Sequence, residues 1–462
     1  MARKLHKLSP QHLQPGMYIE QLDRPWLETP LPFQGFYVRS HAELQWIKES
    51  CAYVFIDSGK SDTSLCLDLP EYEPPPKSSF LTECAKEMHG RAGGSPRPMT
   101  SAVRSAAKVV SRPALTHTSG PLSRLRSMFS RTPAAVETVE QPKTDHQLVR
   151  EQVGHANETY NRARKIMHGV IDNIRSGGGL DVGAVEKVVM PVIDCVLEST
   201  DAMACVIRMK EADQYTYNHS LATSIWAVVF GKSLGFDKKN LETLGTGGLL
   251  LDIGKTRIPH DLLLKKEPLT PEELAELRRH VEYGVEILRE TKAIDPKAEQ
   301  MVATHHERHD GSGYPLGLSD HAIPVFGRIA GIVDTYDAMT SLRPYASPQS
   351  TYNVMRHLVD RADILFQNEI VERFIQVVGI FPTASLAELN TGEVGIVVEQ
   401  NPVRRLRPKV MVILDSGKTL RSSYPVIDLS EMPADTNHPD AVWIVRGLEP
   451  GAYGIDPREY YL

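Results

Sequence analysis

Two aspartates constrain the fold of this chain more than any other feature. Asp252 ends the apolar run GLLLDIG, and Asp334 lies inside RIAGIVDTYDAM. An ionised carboxylate in such surroundings is costly unless it is paired or bound to a cation. The same stretch holds His219, His280, His305 and His306. Singly, each of these residues has an ordinary reading. His219 precedes an apolar helix and reads as a cap or core histidine, His280 reads as surface, and either aspartate reads as a helix-end cap. As a set, imidazole and carboxylate donors on a helical scaffold suit a divalent transition metal such as iron or manganese. Two ions sharing a carboxylate suit phosphodiester hydrolysis, because the pair activates water and stabilises the attacking and leaving oxygens.

The region carrying these residues, about 146–385, reads as an all-α bundle. Apolar residues recur at three- and four-residue spacing through VEKVVMPVIDCVLEST, HSLATSIWAVVFGKSL and NLETLGTGGLLLDIG. Thr270 caps a helix, Pro271 fits its first position and Glu273 completes a capping box, so the pattern predicts one helix running on through ELAELRRHVEYGVEILRE. Residues 1–70 read as a small β-rich module, with strands in GMYIEQL, GFYVRS and AYVFIDS and a helix at HAELQWIKES. Residues 386–462 return to strand patterns in GEVGIVVEQ, PKVMVILDSG and AVWIVRGL. Between the first two parts, 71–145 is dominated by Pro, Ser, Gly, Ala and Arg; it is expected to be a disordered spacer, since it lacks the apolar surface to offset its ordering entropy. The fold class is therefore multi-domain and mainly α, which suits 462 residues.

Composition excludes some functions. The net charge of -6 gives no basis for binding a nucleic-acid polymer. Five cysteines, an odd number without zinc-ligand spacing, argue against a disulfide framework. The N-terminus has positive charge but no apolar stretch behind it, and no window approaches the roughly 18 apolar residues of a membrane span. The expectation is a cytoplasmic protein.

The stretch from about Asp213 to Pro348 resembles the HD-GYP family. The resemblance is carried by YTYNHS, LLLDIGKTRIP, RRHVEYG, HHERHDGSGYPLGL and RIAGIVDTYDAMTSLRPY, of which the HHERxDGSGYP string is the most specific. PGMYIEQLDRPWLETP and TGEVGIVVEQNPVRRLRPKVMVILD resemble the modules that flank such domains, leaving only the linker unaccounted for. The family hydrolyses cyclic di-GMP, a bacterial second messenger, to linear pGpG and in some members to GMP. By resemblance, His219, Asp252 and Asp334 would help hold one metal, and Asp252 would bridge to a second held by His280, His305 and His306. Lys255 would donate to the phosphate or steady the bridging hydroxide. Gly311, Gly313, Tyr314 and Pro315 would shape the loop over the substrate, and Arg343 would grip the dinucleotide. Diguanylate cyclase (GGDEF) proteins would be partners.

The chain departs from the pattern in three places. Leu251-Asp252 stands where the family has His-Asp, and leucine has no lone pair. Ala346 replaces a lysine that often follows the RPY tripeptide. Tyr215 stands where members with a third metal have a carboxylate, so the expectation is one or two ions per chain. His260-Asp261 falls after the IGKTRIP turn and is a decoy. Three readings follow: an active cyclic di-GMP phosphodiesterase, a degenerate member that binds cyclic di-GMP or a protein without turnover, and a hydrolase of another phosphate ester.

Overall fold

The computed structural model describes residues 5–23, 36–38, 41–61, 65, 80–89, 145–209, 215–291, 293–343, 346–401, 404–433 and 438–461. The N-terminal strands are short runs broken by turn residues. β1 (Leu5–Leu8), β2 (Tyr18–Leu22), β3 (Phe36–Tyr37) and β4 (Val54–Asp57) make an antiparallel sheet in the order β1-β4-β2-β3, and α1 (His41–Ser50) connects β3 to β4. Ile19, Val54 and Ile56 are fully buried on one face of it.

Residues 80–89 differ from the expected disordered linker. FLTECAKEMH forms α2 (Phe80–His89); the rest of 71–144 lies outside the described residues. Phe80 and Cys84, one turn apart, are buried. The Arg328 guanidinium lies 5.5 Å from the Phe80 ring, Glu83 pairs with Arg328 and with His321 at 2.8 Å, and Glu87 pairs with Lys297 at 2.9 Å. A helix this short is marginal in isolation. Docking forms it, and the composition of the surrounding segment conceals it.

The bundle comprises α3 (Asp145–Arg175), α4 (Val182–Glu198), α5 (Thr200–Arg208), α6 (Tyr215–Ser233), α7 (Lys238–Leu250), α8 (His260–Leu264), α9 (Pro271–Arg278), α10 (His280–Thr291), α11 (Pro296–Thr304), α12 (Val325–Thr340), α13 (Thr351–Asp360) and α14 (Asn368–Val378). Three edge-to-face aromatic pairs, Trp226–Tyr336, Tyr336–Phe374 and Phe230–Phe374, lock α6, α12 and α14 together at centroid distances of 5.2–5.3 Å. Each contributes about 0.5–1.5 kcal/mol beyond its buried area. The Thr223 and Ser224 hydroxyls donate to the Gly248 and Gly245 carbonyls at 2.7 Å and tie α6 to α7.

The capping box forms as the sequence indicates: the Glu273 amide donates to Thr270 Oγ1, and the Thr270 amide donates to the Glu273 carboxylate. The single helix expected beyond it is two helices. The chain turns at Arg279, whose amide bonds to Glu276 O, and His280 Nδ1 donates to Leu277 O at 2.7 Å. That side-chain bond satisfies a carbonyl at the end of α9, so the helical ladder restarts with His280 at its head.

The C-terminal part is a five-stranded antiparallel sheet of β5 (Leu386–Leu389), β6 (Val394–Glu399), β7 (Lys409–Leu414), β8 (Val426–Asp428) and β9 (Ile444–Leu448) in the order β8-β7-β6-β5-β9, followed by α15 (Arg458–Tyr461). Arg208 of α5 joins the bundle to the segment leading into it, donating to Val378 O and Thr383 O at 3.3 and 3.4 Å. Cys51, Cys84, Cys195 and Cys205 are free thiols. Among the described residues no helix is long and apolar enough to cross a membrane.

Candidate metal centre

Five elements converge on one point. α6 carries His219, the 3-10 turn Ile253–Arg257 follows Asp252 and holds Lys255, α10 begins at His280, α11 is followed by His305 and His306, and α12 carries Asp334. Gly254 makes the convergence possible. A Cβ there would lie 1.9 Å from His280 O and 2.4 Å from the Gly284 amide nitrogen. Only glycine lets the turn approach α10 this closely, and the approach sets Asp252 beside His280.

Asp252, His280, His305 and His306 each present one donor atom, and the four atoms lie within 4.8 Å of one another. Backbone carbonyls set the tautomers. His280 Nδ1 donates to Leu277 O and His305 Nδ1 to Val302 O, both at 2.7 Å, so both Nε2 atoms keep lone pairs for the cluster. His280 Nε2 lies 3.4 Å from Asp252 Oδ1 and 3.2 Å from His306 Nε2. His305 Nε2 is buried with no hydrogen-bond partner. Burial pushes the pKa of all three imidazoles down, to about 4 for His305. Buried neutral imidazoles facing one carboxylate, one of them without a partner, fit a divalent cation.

The other side of Asp252 faces Lys255 and His219. Lys255 Nζ donates to Asp252 Oδ2 at 2.6 Å, and His219 Nε2 lies 3.5 Å from the same oxygen. Burial alone would raise the Asp252 pKa; Lys255 before all, with His280 and His219 beside it, holds it well below the usual carboxylate range. His219 reaches Asp334 Oδ1 through Nε2 at 3.0 Å and Asp337 Oδ2 through Nδ1 at 2.8 Å. Burial opposes charge on His219, but its hydrogen bonds to Asp334 and Asp337 push its pKa up to about 9. Asp334 is also buried, and the His219 bond holds its carboxyl well below the ordinary range. Asp337, which also accepts from Ser341 Oγ at 3.2 Å, was not singled out from the sequence. Its signal was present: it stands three residues after Asp334 on an apolar helix, and so shares its face.

Leu251 is 1 % exposed and packs into the core. His260, at the head of α8, is exposed.

The GYP loop covers the cluster from one side. The Tyr314 ring stacks on His306 at 4.6 Å, and the Arg278 guanidinium lies 4.9 Å from the same ring. Gly311 has φ +81, and a Cβ at Gly313 would lie 2.5 Å from the backbone of residues 306–308. Glu307 is 4 % exposed and accepts the Leu316 and Leu318 amides at 2.7 and 2.9 Å, so the residue after the histidine pair pins the chain just past Pro315. Glu307→Gln replaces one acceptor oxygen with a donor facing an N–H, a cost of about 1–3 kcal/mol. Amide hydrogen exchange at Leu316 and Leu318 should accelerate while metal content stays constant; unchanged exchange would remove this role. Arg343 is half-buried in the loop after α12, where its backbone exchanges hydrogen bonds with Ala346. The Tyr215 side chain lies outside the described residues.

Three family models match the chain. The model described as an HD domain covers residues 188–369, a domain of unknown function (DUF3391) covers 5–185, and a KOW domain associated with HD domain covers 386–434. The cyclic di-GMP phosphodiesterase PA4108 of Pseudomonas aeruginosa is 28% identical over 96% of this chain and 95% of its own length. A cyclic di-GMP phosphodiesterase of Thermotoga maritima is 34% identical over 36% of this chain, which spans 45% of that relative. Among solved structures, a HDG"Y"P protein from Bdellovibrio bacteriovorus aligns with 52% of this chain and 73% of its own, at 17% identity and a TM-score of 0.38. HD domain proteins bind divalent metals, and the cluster of Asp252, His280, His305 and His306 falls inside the matched domain. The chain thus carries an HD domain with that cluster inside it, and it is similar over nearly its whole length to a protein named a cyclic di-GMP phosphodiesterase.

Proposed function

We propose that this protein is a metal-dependent phosphodiesterase that hydrolyses cyclic di-GMP to linear pGpG, and in a second step to GMP. The observation that carries the reading is the buried four-donor cluster, with His305 Nε2 unpartnered, beneath the Tyr314 loop. The names of its relatives support the substrate. The mixed imidazole and carboxylate set favours iron or manganese. Asp252, His280, His305 and His306 would hold the ion. When bound, it supplies Lewis acidity toward a phosphoryl oxygen and lowers the pKa of water.

The chain's own groups do the rest. Lys255, a quarter exposed and anchored on Asp252, presents an ammonium to the phosphate. Tyr314 offers its ring to a base, with Gly311, Gly313 and Pro315 shaping the loop, and Arg343 supplies a guanidinium for phosphate or guanine. In the reaction a water oxygen bonds to phosphorus, the bond to the 3′-oxygen breaks, and that oxygen takes a proton. Leu316, 67 % exposed beside the loop, is available to a diguanylate cyclase (GGDEF) partner. A cytoplasmic location follows from the substrate, an intracellular messenger.

Leu251 favours a second reading, a receptor that binds cyclic di-GMP without turnover. Protein purified without oxygen and assayed with manganese or ferrous iron separates the two. Linear product establishes the enzyme; ligand binding without product establishes the receptor.

A further inference from the structure

Two ions bridged by a carboxylate are what the family resemblance implies. We propose instead that this chain holds a single divalent ion, in the cage of Asp252, His280, His305 and His306, and that Lys255 and His219 take up by hydrogen bonding the position of the other. The inference deepens the metal assignment of the proposed function and rests on that cage.

The two oxygens of Asp252 face different surroundings. Oδ1 looks toward His280 Nε2 at 3.4 Å, on the cage side. Oδ2, the atom a second ion would need, already accepts from the Lys255 ammonium at 2.6 Å. A second cation on Oδ2 would sit within a few ångströms of that ammonium, and the like charges would repel. The other donors are also engaged. His219 has both ring nitrogens within 3.0 Å of carboxylate oxygens, Nε2 on Asp334 and Nδ1 on Asp337. Leu251 places a packed apolar side chain where the family has its remaining imidazole. Among the described residues no second group of three histidine, cysteine or carboxylate donors lies as close together as the cage. The vacancy left by the missing histidine has thus been closed by packing and ion pairing.

One consequence concerns the substrate. With one ion fewer to meet the phosphate charge, more of it falls to Lys255, whose Nζ is fixed by Asp252 and partly open to solvent. Lys255 is then a binding group as well as a partner of Asp252.

The test is metal stoichiometry, which does not depend on turnover. The full chain, stripped of metal, is dialysed against manganese and its content measured by elemental analysis. The expected result is one equivalent for the natural sequence and two for Leu251→His, in which the missing donor is restored. His219→Ala should still bind one equivalent, because His219 lies outside the cage, and this variant keeps the test decisive where Leu251→His fails to fold. Two equivalents in the natural sequence, or loss of the single one in His219→Ala, would overturn the inference. No bound manganese in the natural sequence would overturn the cage itself, and the proposed function with it.

Discussion

Asp252→Asn should lose its metal and at least about 100-fold of its phosphodiesterase activity. Losing a group that only supports a metal ligand typically costs 10–100-fold, and Asp252 is placed as a ligand itself. Its position makes the loss larger still. Asp252 is the carboxylate in contact both with His280 of the cage and with Lys255, and it lies beside His219. Asparagine keeps the shape but removes the charge, and its amide nitrogen would point a donor at Lys255 or at the imidazoles. A buried cluster of cationic and neutral donors then lacks its counter-charge, a change that costs about 3–5 kcal/mol where a buried pair is broken. Elemental analysis and product chromatography check both parts. Full metal content in Asp252→Asn would remove Asp252 from the cage.

The second large effect comes from a residue with no chemistry of its own. Gly254→Ala puts a methyl group 1.9 Å from His280 O and 2.4 Å from the Gly284 amide. Both obstacles are backbone, so no flexible side chain can yield. The turn or α10 must move, at a cost of about 1–3 kcal/mol in overpacking, and more if the core does not relax. The movement separates Asp252 from His280. A displacement of about 1 Å at such a site is worth roughly 100-fold in rate. Lower thermal stability together with weakened manganese binding is the expected pair of results. A variant that keeps the native stability and affinity would show that the close approach does not set the site.

Much of this architecture could be read from the chain. The apolar spacing marks the bundle helices, the Thr270–Glu273 capping box forms as its residues indicate, and strand patterns appear at both ends where sheets form. The clustering of Asp252 with the histidines followed from the expense of a buried carboxylate. What the sequence concealed depends on contacts between distant segments. α2 is visible only once Phe80 and Cys84 have α12 to pack on and Glu83 has Arg328. The break at Arg279 comes from a side-chain bond that competes with the helical ladder, which periodicity does not register. Asp337 and Glu307 read as ordinary polar residues in one dimension. Their roles come from what they face, a histidine in one case and two backbone amides in the other. The effect of Leu251 was open in the sequence, because only the structure shows Lys255 and His219 crowded around the same carboxylate oxygen.

The most direct test of a metal-dependent phosphodiesterase is removal and return of the metal with cyclic di-GMP as substrate. Chelated, dialysed protein should give no linear product, and manganese or ferrous iron should restore pGpG formation in proportion to the metal bound. Undiminished hydrolysis by metal-free protein, or metal-loaded protein that binds cyclic di-GMP and never opens its ring, would contradict the account.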